Sequence, residues 1–235
     1  GIRTVTVKEP CVNVSYLEND EEWLHIDMPL YAKYNGNVYL ARGRATSQNY
    51  EWEEADPKGL NDYLLNEINN NAPLRRVIRY LKKWKLEEYH NSTNDNEIPP
   101  SIGITLLACD SFINCTENGS DYDLLSLLKT MERIQSKFEL TYENGNLVKA
   151  EITRKLPTVP DTDVFSKMKN SSDVNGVKFY NKLSRAIQNL KDAYNAESEH
   201  DAGKSVQKVL GDEFIVPEKE TSFSKTLIKK EHSFG

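Results

Sequence analysis

Cysteine is scarce in this chain, and no apolar run is long enough to cross a membrane. The 235 residues include three cysteines, at positions 11, 109 and 115, which are odd in number and share no metal-ligand spacing. Such scarcity is typical of a reducing cytoplasm. No apolar stretch approaches the roughly 18 residues of a membrane helix, and residues 1–15, which carry charges every few positions, show no signal-peptide pattern. We therefore expect a cytoplasmic protein with no membrane partner.

An excess of positive charge is missing as well. The net charge is −6 and the isoelectric point is about 5.4, whereas proteins that coat duplex nucleic acid are usually basic. Duplex nucleic acid is therefore not expected as a partner. The four histidines have no cysteine or histidine partner at ligand spacing, so no zinc site is predicted. Nucleophile-elbow, P-loop and Rossmann motifs are absent too.

Residue patterning divides the chain into a strand-rich start and a helical remainder. The first 45 residues alternate apolar and polar positions, and Asn35-Gly36 between two such runs predicts a hairpin. Asp56 and Pro57 have the order expected of a helix N-terminus. We predict further helices at 73–89, 101–112, 121–140, 177–196 and 200–210, a turn at 144–146, and the start of another helix at 164–168.

One charged residue interrupts an apolar strand in the first part. Alternation places Asp27 on one face with His25 and Pro29, and Ile26 and Met28 on the other. A buried carboxylate is costly unless it meets a cation, a metal or hydrogen-bond donors. From the pattern alone, a structural ion pair with an arginine is the commoner explanation, and a metal ligand is the alternative.

Residues 25–32, which read His-Ile-Asp-Met-Pro-Leu-Tyr-Ala, resemble the third-acid strand of bacterial cGAS/DncV-like nucleotidyltransferases, within the polymerase-β superfamily. Six further segments resemble this family in the same order: 40–43, 52–60, 75–84, 100–108, 179–183 and 202–214. The resemblance implies an α+β fold. On this basis we expect residues 1–58 to form the last strands of a nucleotidyltransferase palm, 59–216 a mostly helical domain, and 217–235 a flexible C-terminal tail.

In the family, a Gly-Ser, a following Asp-x-Asp and a third aspartate build a site for two magnesium ions, and manganese is possible there. The resemblance implies that Asp27 is this third, catalytic and metal-binding acid. No Gly-Ser followed by Asp-x-Asp precedes Asp27, and we interpret Asp-Thr-Asp at 161–163 as a loop in a proline-rich turn. We expect the chain to be the C-terminal portion of a longer enzyme and to be inactive alone.

A basic helix follows the strands, with six cations between positions 75 and 85. Helical geometry places Arg75, Arg79 and Lys82 on one face. An apolar face lies opposite them and should be buried; it consists of Val77, Leu81 and Trp84. Such a charge run is most often a solvated surface stripe.

The resemblance gives this helix a further role. In the family, a lysine of this helix and a serine that begins the next one contact the donor triphosphate. Lys82 and Ser101 are the matching positions, and Lys83 is the competing assignment. The ammonium would supply a point charge to phosphate oxygens, and the hydroxyl would donate a hydrogen bond.

The resemblance predicts that the intact parent uses Mg²⁺ and nucleoside triphosphates to make a cyclic di- or oligonucleotide second messenger in anti-phage defence. The alternatives are an enzyme that adds nucleotides to RNA, which the acidic charge disfavours, and a non-catalytic module that docks a partner protein or small molecule. Some relatives are conjugated to targets through a C-terminal glycine. Gly235 therefore suggests an E1/E2-like conjugation enzyme as a further partner.

Overall fold

The computed structural model describes residues 2–8, 11–43 and 50–219. Helices and strands are mixed, which confirms the predicted α+β class. Contacts divide the chain into two compact units, the first comprising residues 1–70 and 153–166 and the second residues 71–152 and 167–235. This grouping places the helix after residue 57 with the strands. The predicted domain limits at 58 and 216 stay predictions.

The first unit consists of two small antiparallel sheets and a helix within the described residues. Its elements are β1 (Ile2–Lys8), β2 (Cys11–Glu18), β3 (Glu21–Pro29), β4 (Tyr31–Tyr34), β5 (Asn37–Arg42), β6 (Glu51–Glu54) and α1 (Pro57–Asn70). One sheet has the order β1-β2-β3 and the other β4-β5-β6. The predicted hairpin at Asn35-Gly36 joins β4 to β5, and both residues have the positive φ angles that this turn requires (49° and 86°).

The three-stranded sheet has one polar and one apolar face. In its register Thr6, Asn13 and Asp27 form one row across β1, β2 and β3. The neighbouring row of Val5, Val14 and Ile26 belongs to the opposite, apolar face, because successive side chains alternate. This apolar face is largely uncovered by the described residues. Its exposed members are Val5, Val7, Leu24, Ile26 and Met28, between 42% and 66% exposed.

Helix α1 begins where the sequence predicts. The carboxylate oxygen Oδ1 of Asp56 accepts a hydrogen bond from the backbone N–H of Gly59 at 2.8 Å, so it caps the first turn. Pro57 occupies the first helical position, where its missing N–H has no consequence.

The second unit is mainly helical. Its elements are α2 (Leu74–Tyr89), α3 (Ser101–Ser111), β7 (Thr116–Glu117), β8 (Ser120–Asp121), α4 (Asp123–Gln135), β9 (Glu139–Glu143), β10 (Asn146–Glu151), α5 (Ser166–Ser171), α6 (Asp173–Tyr194) and α7 (Glu199–Leu210). A 3₁₀ turn at Asp95–Glu97 precedes α3. Of the helices that the structure describes, none has the length and apolar character needed to span a membrane.

Aromatic packing holds the helices of the second unit together. The predicted buried face of α2 is confirmed, since Val77, Leu81 and Trp84 are at most 1% exposed. The Trp84 ring stacks on Phe179 of α6 with centroids 6.3 Å apart, and Phe138 meets Phe179 edge-on at 5.2 Å. Helix α3 is apolar and buried through most of its length, with α2 and α4 as neighbours. The basic helix α2 is therefore held in place by core contacts along its apolar face.

The prediction of one helix over residues 121–140 is wrong at its C-terminal end. Helix α4 stops at Gln135, and residues 139–143 form β9, which pairs with β10. The turn Asn144-Gly145 explains the difference, because its positive φ angles (48° and 79°) return the chain for antiparallel pairing. Phe138 keeps the spacing of the helical face and is buried, although it lies outside the helix.

Candidate functional site

Asp27 lies on β3, at the edge of the three-stranded sheet, and its side chain is on the polar face. Its carboxylate oxygen Oδ1 accepts a hydrogen bond of 2.8 Å from the side-chain amide of Asn13, the residue directly opposite on β2. The Cys11 thiol is also a hydrogen-bonding neighbour of this carboxylate. Two donors from one strand therefore face the predicted catalytic acid.

These hydrogen bonds keep Asp27 in its charged form. The amide of Asn13 and, to a smaller extent, the thiol of Cys11 lower the pKa of the Asp27 carboxyl below its usual value. Burial opposes this only weakly, since Asp27 is exposed. Among the described residues Asp27 is exposed, because β3 is an edge strand, and the partners of its carboxylate are hydrogen-bond donors.

The neighbours of Asp27 bear on the two explanations that its sequence context left open. Within residues 2–8, 11–43 and 50–219, no arginine or lysine makes an ion pair with Asp27. An exposed, ionised carboxylate without a paired cation suits a hard divalent cation, which prefers oxygen ligands. The same ranges contain no cluster of three acidic, histidine or cysteine side chains that could hold a metal. In the described part of the chain, Asp27 thus supplies one oxygen ligand, whereas a metal site needs several ligands.

The second candidate site lies on α2 and at the start of α3, in the second unit. Lys83, the competing assignment, is occupied by acids: its Nζ lies 2.7 Å from Glu87 and also contacts Glu213. Lys82 is exposed on the stripe with Arg75 and Arg79, as the helical spacing predicts. The assignment of Lys82 to a triphosphate stays a prediction.

Lys85 is the cation that reaches Ser101. Its Nζ donates a hydrogen bond of 2.6 Å to the Ser101 hydroxyl, across the loop that joins α2 to α3. Partial burial, and then the charge of Lys82 one turn earlier, lower the pKa of the Lys85 ammonium. The negative charge of a bound anion would offset both effects, because it stabilises the charged form of the ammonium. Lys85 is one of the six cations of this helix, but the sequence does not predict its contact with Ser101, because that contact depends on the path of the loop.

Ser101 also marks a free helix end. It is the first residue of α3, and Pro100 before it supplies no side-chain cap. The first N–H groups of a helix lack partners inside the helix and carry partial positive charge. An ammonium, a hydroxyl and a helix N-terminus are therefore adjacent, a combination that suits phosphate oxygens.

Two other predicted positions have different outcomes. The Asp-Thr-Asp segment lies in a loop, as predicted, and Asp163 accepts hydrogen bonds from the backbone N–H groups of Arg154 and Phe165, each at 3.1 Å. Its role in the described structure is therefore to hold the loop. Gly235, the predicted conjugation site, lies outside the described residues.

Comparison with known structures identifies the fold. No protein-family model matches the chain. Solved structures, however, show that the chain has the fold of DncV-like nucleotidyltransferases, which confirms at the level of the fold the resemblance found in the sequence.

Three of these structures illustrate the match. Vibrio cholerae DncV, a cyclic AMP-GMP synthase, in complex with the linear intermediate pppA(3′,5′)pG is 20% identical with a TM-score of 0.67, over 91% of this chain and 54% of that one. Its apo form has a TM-score of 0.68 at 20% identity, over 91% of this chain and 52% of that one. Escherichia coli DncV bound to 3′-deoxy GTP has a TM-score of 0.62 at 18% identity, over 89% of this chain and 52% of that one. The chain thus spans about half the length of these enzymes.

Proposed function

We propose that the protein containing this chain is a nucleotidyltransferase that joins nucleoside triphosphates into a cyclic di- or oligonucleotide second messenger, with Mg²⁺ (or Mn²⁺) as cofactor. The observation that carries the proposal is the DncV fold over about nine-tenths of the chain, with an ionised aspartate on the edge of its sheet that makes no ion pair with a lysine or arginine of the described residues. ATP and GTP are the substrates that we propose, since the matched enzymes bind GTP or a linear intermediate of A and G.

Each site has a separate part in this proposal. Asp27 supplies one carboxylate ligand to the divalent cations. When bound, such cations lower the pKa of the attacking hydroxyl and neutralise the charge that develops on the phosphates. Lys85 and Ser101, with Lys82 one turn away, bind phosphate oxygens of the donor and hold it in place. The negative charge that grows on the leaving pyrophosphate would be stabilised by the Lys85 ammonium and the N-terminus of α3.

The biological setting belongs to the proposal as well. We propose a cytoplasmic role in anti-phage defence and conjugation of Gly235 to a target by an E1/E2-like enzyme. Both rest on the resemblance of the sequence. Mass spectrometry of the protein expressed with its operon tests the conjugation, and the finding of only free C-termini would contradict it.

A second candidate is a non-catalytic module that docks a partner protein or small molecule. One observation favours it: the described residues hold no three-ligand metal cluster. The two candidates differ in whether the gene product that contains this chain releases pyrophosphate from nucleoside triphosphates.

The experiment therefore incubates that gene product with ATP, GTP and Mg²⁺, and measures pyrophosphate and nucleotide products. Asp27→Asn should abolish product and preserve the fold. Asp20→Asn is the matched control, because Asp20 is an exposed aspartate in the turn before β3 and loses the same charge. No pyrophosphate from the wild type would favour the docking module, and full activity of Asp27→Asn would refute the role of Asp27.

The phosphate site is tested by affinity. Lys85→Ala should raise the KM for ATP at least about tenfold, since a hydrogen bond to a charged group contributes about 1.5–3 kcal/mol. Lys82→Ala distinguishes the two assignments, and Lys204→Ala on an exposed part of α7 is the control. If Lys82→Ala raises the KM and Lys85→Ala leaves it unchanged, the family-based assignment is preferred.

A further inference from the structure

Asn13 is the most buried polar side chain of the first sheet, although the sheet face around it is open. It is 1% exposed, whereas Asp27 opposite it is exposed. Both ends of its amide are hydrogen-bonded. Its Oδ1 accepts from the Ser15 hydroxyl at 2.9 Å, and its Nδ2 donates to Asp27 Oδ1 at 2.8 Å. A buried amide with both ends bonded has little freedom to rotate.

The chemistry of these neighbours fixes which way the amide points. A carboxylate accepts hydrogen bonds and cannot donate them when ionised, so the N–H end of Asn13 must face Asp27. The reverse orientation would place the amide oxygen against a negative charge. The Ser15 hydroxyl favours the same orientation, because it can donate to the amide oxygen. The donor that Asp27 meets is therefore held in one orientation before any ligand binds.

We infer that Asn13 is a positioning residue for Asp27: its buried amide holds the carboxylate in the orientation in which it coordinates a divalent cation. This inference rests on the proposed function, since it assigns Asn13 a part in the same site. Groups that orient a metal ligand by hydrogen bonding usually change metal affinity or activity about 10- to 100-fold when they are removed. Cys11 adds a second, more accessible neighbour on the same strand.

The test uses Asn13 because Ser15 has a second acceptor, Glu22, within hydrogen-bonding reach. Asn13→Leu keeps the size and removes the donor. Asn13→Thr is a second variant, a good strand former whose hydroxyl sits closer to the backbone than the amide nitrogen does. Asn13→Gln retains an amide and should restore part of the effect. Thr6→Val is the matched control, since Thr6 lies in the same cross-strand row on the other side of Asn13.

The measurement is the broadening of the Asp27 backbone amide signal by Mn²⁺ in NMR spectra of the gene product that contains this chain, because the described part of this chain supplies only one ligand of a metal site. Thermal unfolding verifies the fold of each variant. In the wild type, Mn²⁺ should broaden this signal selectively. We expect Asn13→Leu and Asn13→Thr to need about tenfold more Mn²⁺ for the same broadening, Asn13→Gln an intermediate amount, and Thr6→Val the wild-type amount.

The outcomes separate the inference from the proposed function. A folded Asn13→Leu or Asn13→Thr with wild-type Mn²⁺ dependence would overturn the positioning role and leave the role of Asp27 intact. An equally large increase in the Mn²⁺ that Thr6→Val needs for the same broadening would also overturn it, because the effect would then be a general loosening of the sheet. If Mn²⁺ does not broaden the Asp27 signal of the wild type, the metal-binding role of Asp27 itself fails, and the inference fails with it.

Discussion

Replacing Asn175 by alanine should destabilise the second unit more than its size suggests. Asn175 lies in the first turn of α6 and is 4% exposed. Its side-chain nitrogen faces three acceptors: the backbone oxygen of Asn96 at 3.2 Å, the backbone oxygen of Met168 at 3.3 Å, and the Ser171 hydroxyl at 2.6 Å. This one amide therefore connects α5 and α6 to the 3₁₀ turn that leads towards Ser101.

The expected magnitude follows from counting hydrogens. The amide has two N–H groups for three acceptors, so at most two full hydrogen bonds are lost, each worth about 1 kcal/mol. The Asn96 carbonyl, which is part-buried, then loses this donor, whereas the Met168 carbonyl keeps the Ser171 hydroxyl, so the unsatisfied acceptor costs about 1 kcal/mol, the low end of the usual range. The higher helix propensity of alanine offsets about 0.5 kcal/mol of this loss in the free energy of unfolding. We therefore expect a loss of about 1–3 kcal/mol in the free energy of unfolding.

Urea unfolding followed by circular dichroism measures this loss as a lower midpoint at an unchanged slope. Asn181→Ala is the matched control, because Asn181 is an exposed asparagine on the same helix and should show only the small gain in propensity. If both variants unfold at the same urea concentration, the amide of Asn175 does not hold these segments together and the reasoning is wrong.

Two further predictions concern α2. The Tyr89 hydroxyl is buried without a hydrogen-bond partner among the described residues, so Tyr89→Phe should raise the free energy of unfolding by about 1 kcal/mol in urea; a loss of stability would show that the hydroxyl has a partner. Arg76 and then the Tyr80 hydroxyl lower the pKa of Asp123, so the stabilisation from this carboxylate is present at neutral pH and is lost as the pH falls through the lowered pKa. Asp123→Asn should therefore be less stable than the wild type at pH 7, and the difference should shrink below about pH 4; a constant difference would contradict the assignment.

The sequence predicted α2 well because its local and tertiary preferences agree. The apolar positions recur with a helical period, and the residues that they predict as buried are buried, with Trp84 in the aromatic core. The start of α1 at Pro57 is predictable for the same reason. Asp56 caps the first turn by accepting from the backbone N–H of Gly59, so the signal lies within four consecutive residues.

The failures involve contacts that no local pattern contains. The helical period continues through Phe138, yet the pairing of β9 with β10 takes residues 139–143 into a strand, so tertiary pairing overrides periodicity. Nothing in the sequence favours Lys85 over Lys82 as the partner of Ser101, because the contact between Lys85 and Ser101 spans the loop between two helices. Asn13 could have been found only from the register of β2 against β3, which places it opposite Asp27.

The apolar face of the first sheet, which the described residues leave largely uncovered, has a consequence for handling the protein. The exposed apolar side chains lie on β1 (Val5 and Val7) and on β3 (Leu24, Ile26 and Met28), and Val12 and Val14 of β2 lie between them. Contiguous apolar patches promote self-association and bind hydrophobic dyes. A net charge of −6 opposes such association only at low ionic strength, because salt screens charge repulsion and leaves apolar attraction in place. Solubility of this chain should therefore fall as salt is added, and samples for the Mn²⁺ measurement are best kept dilute and at low salt.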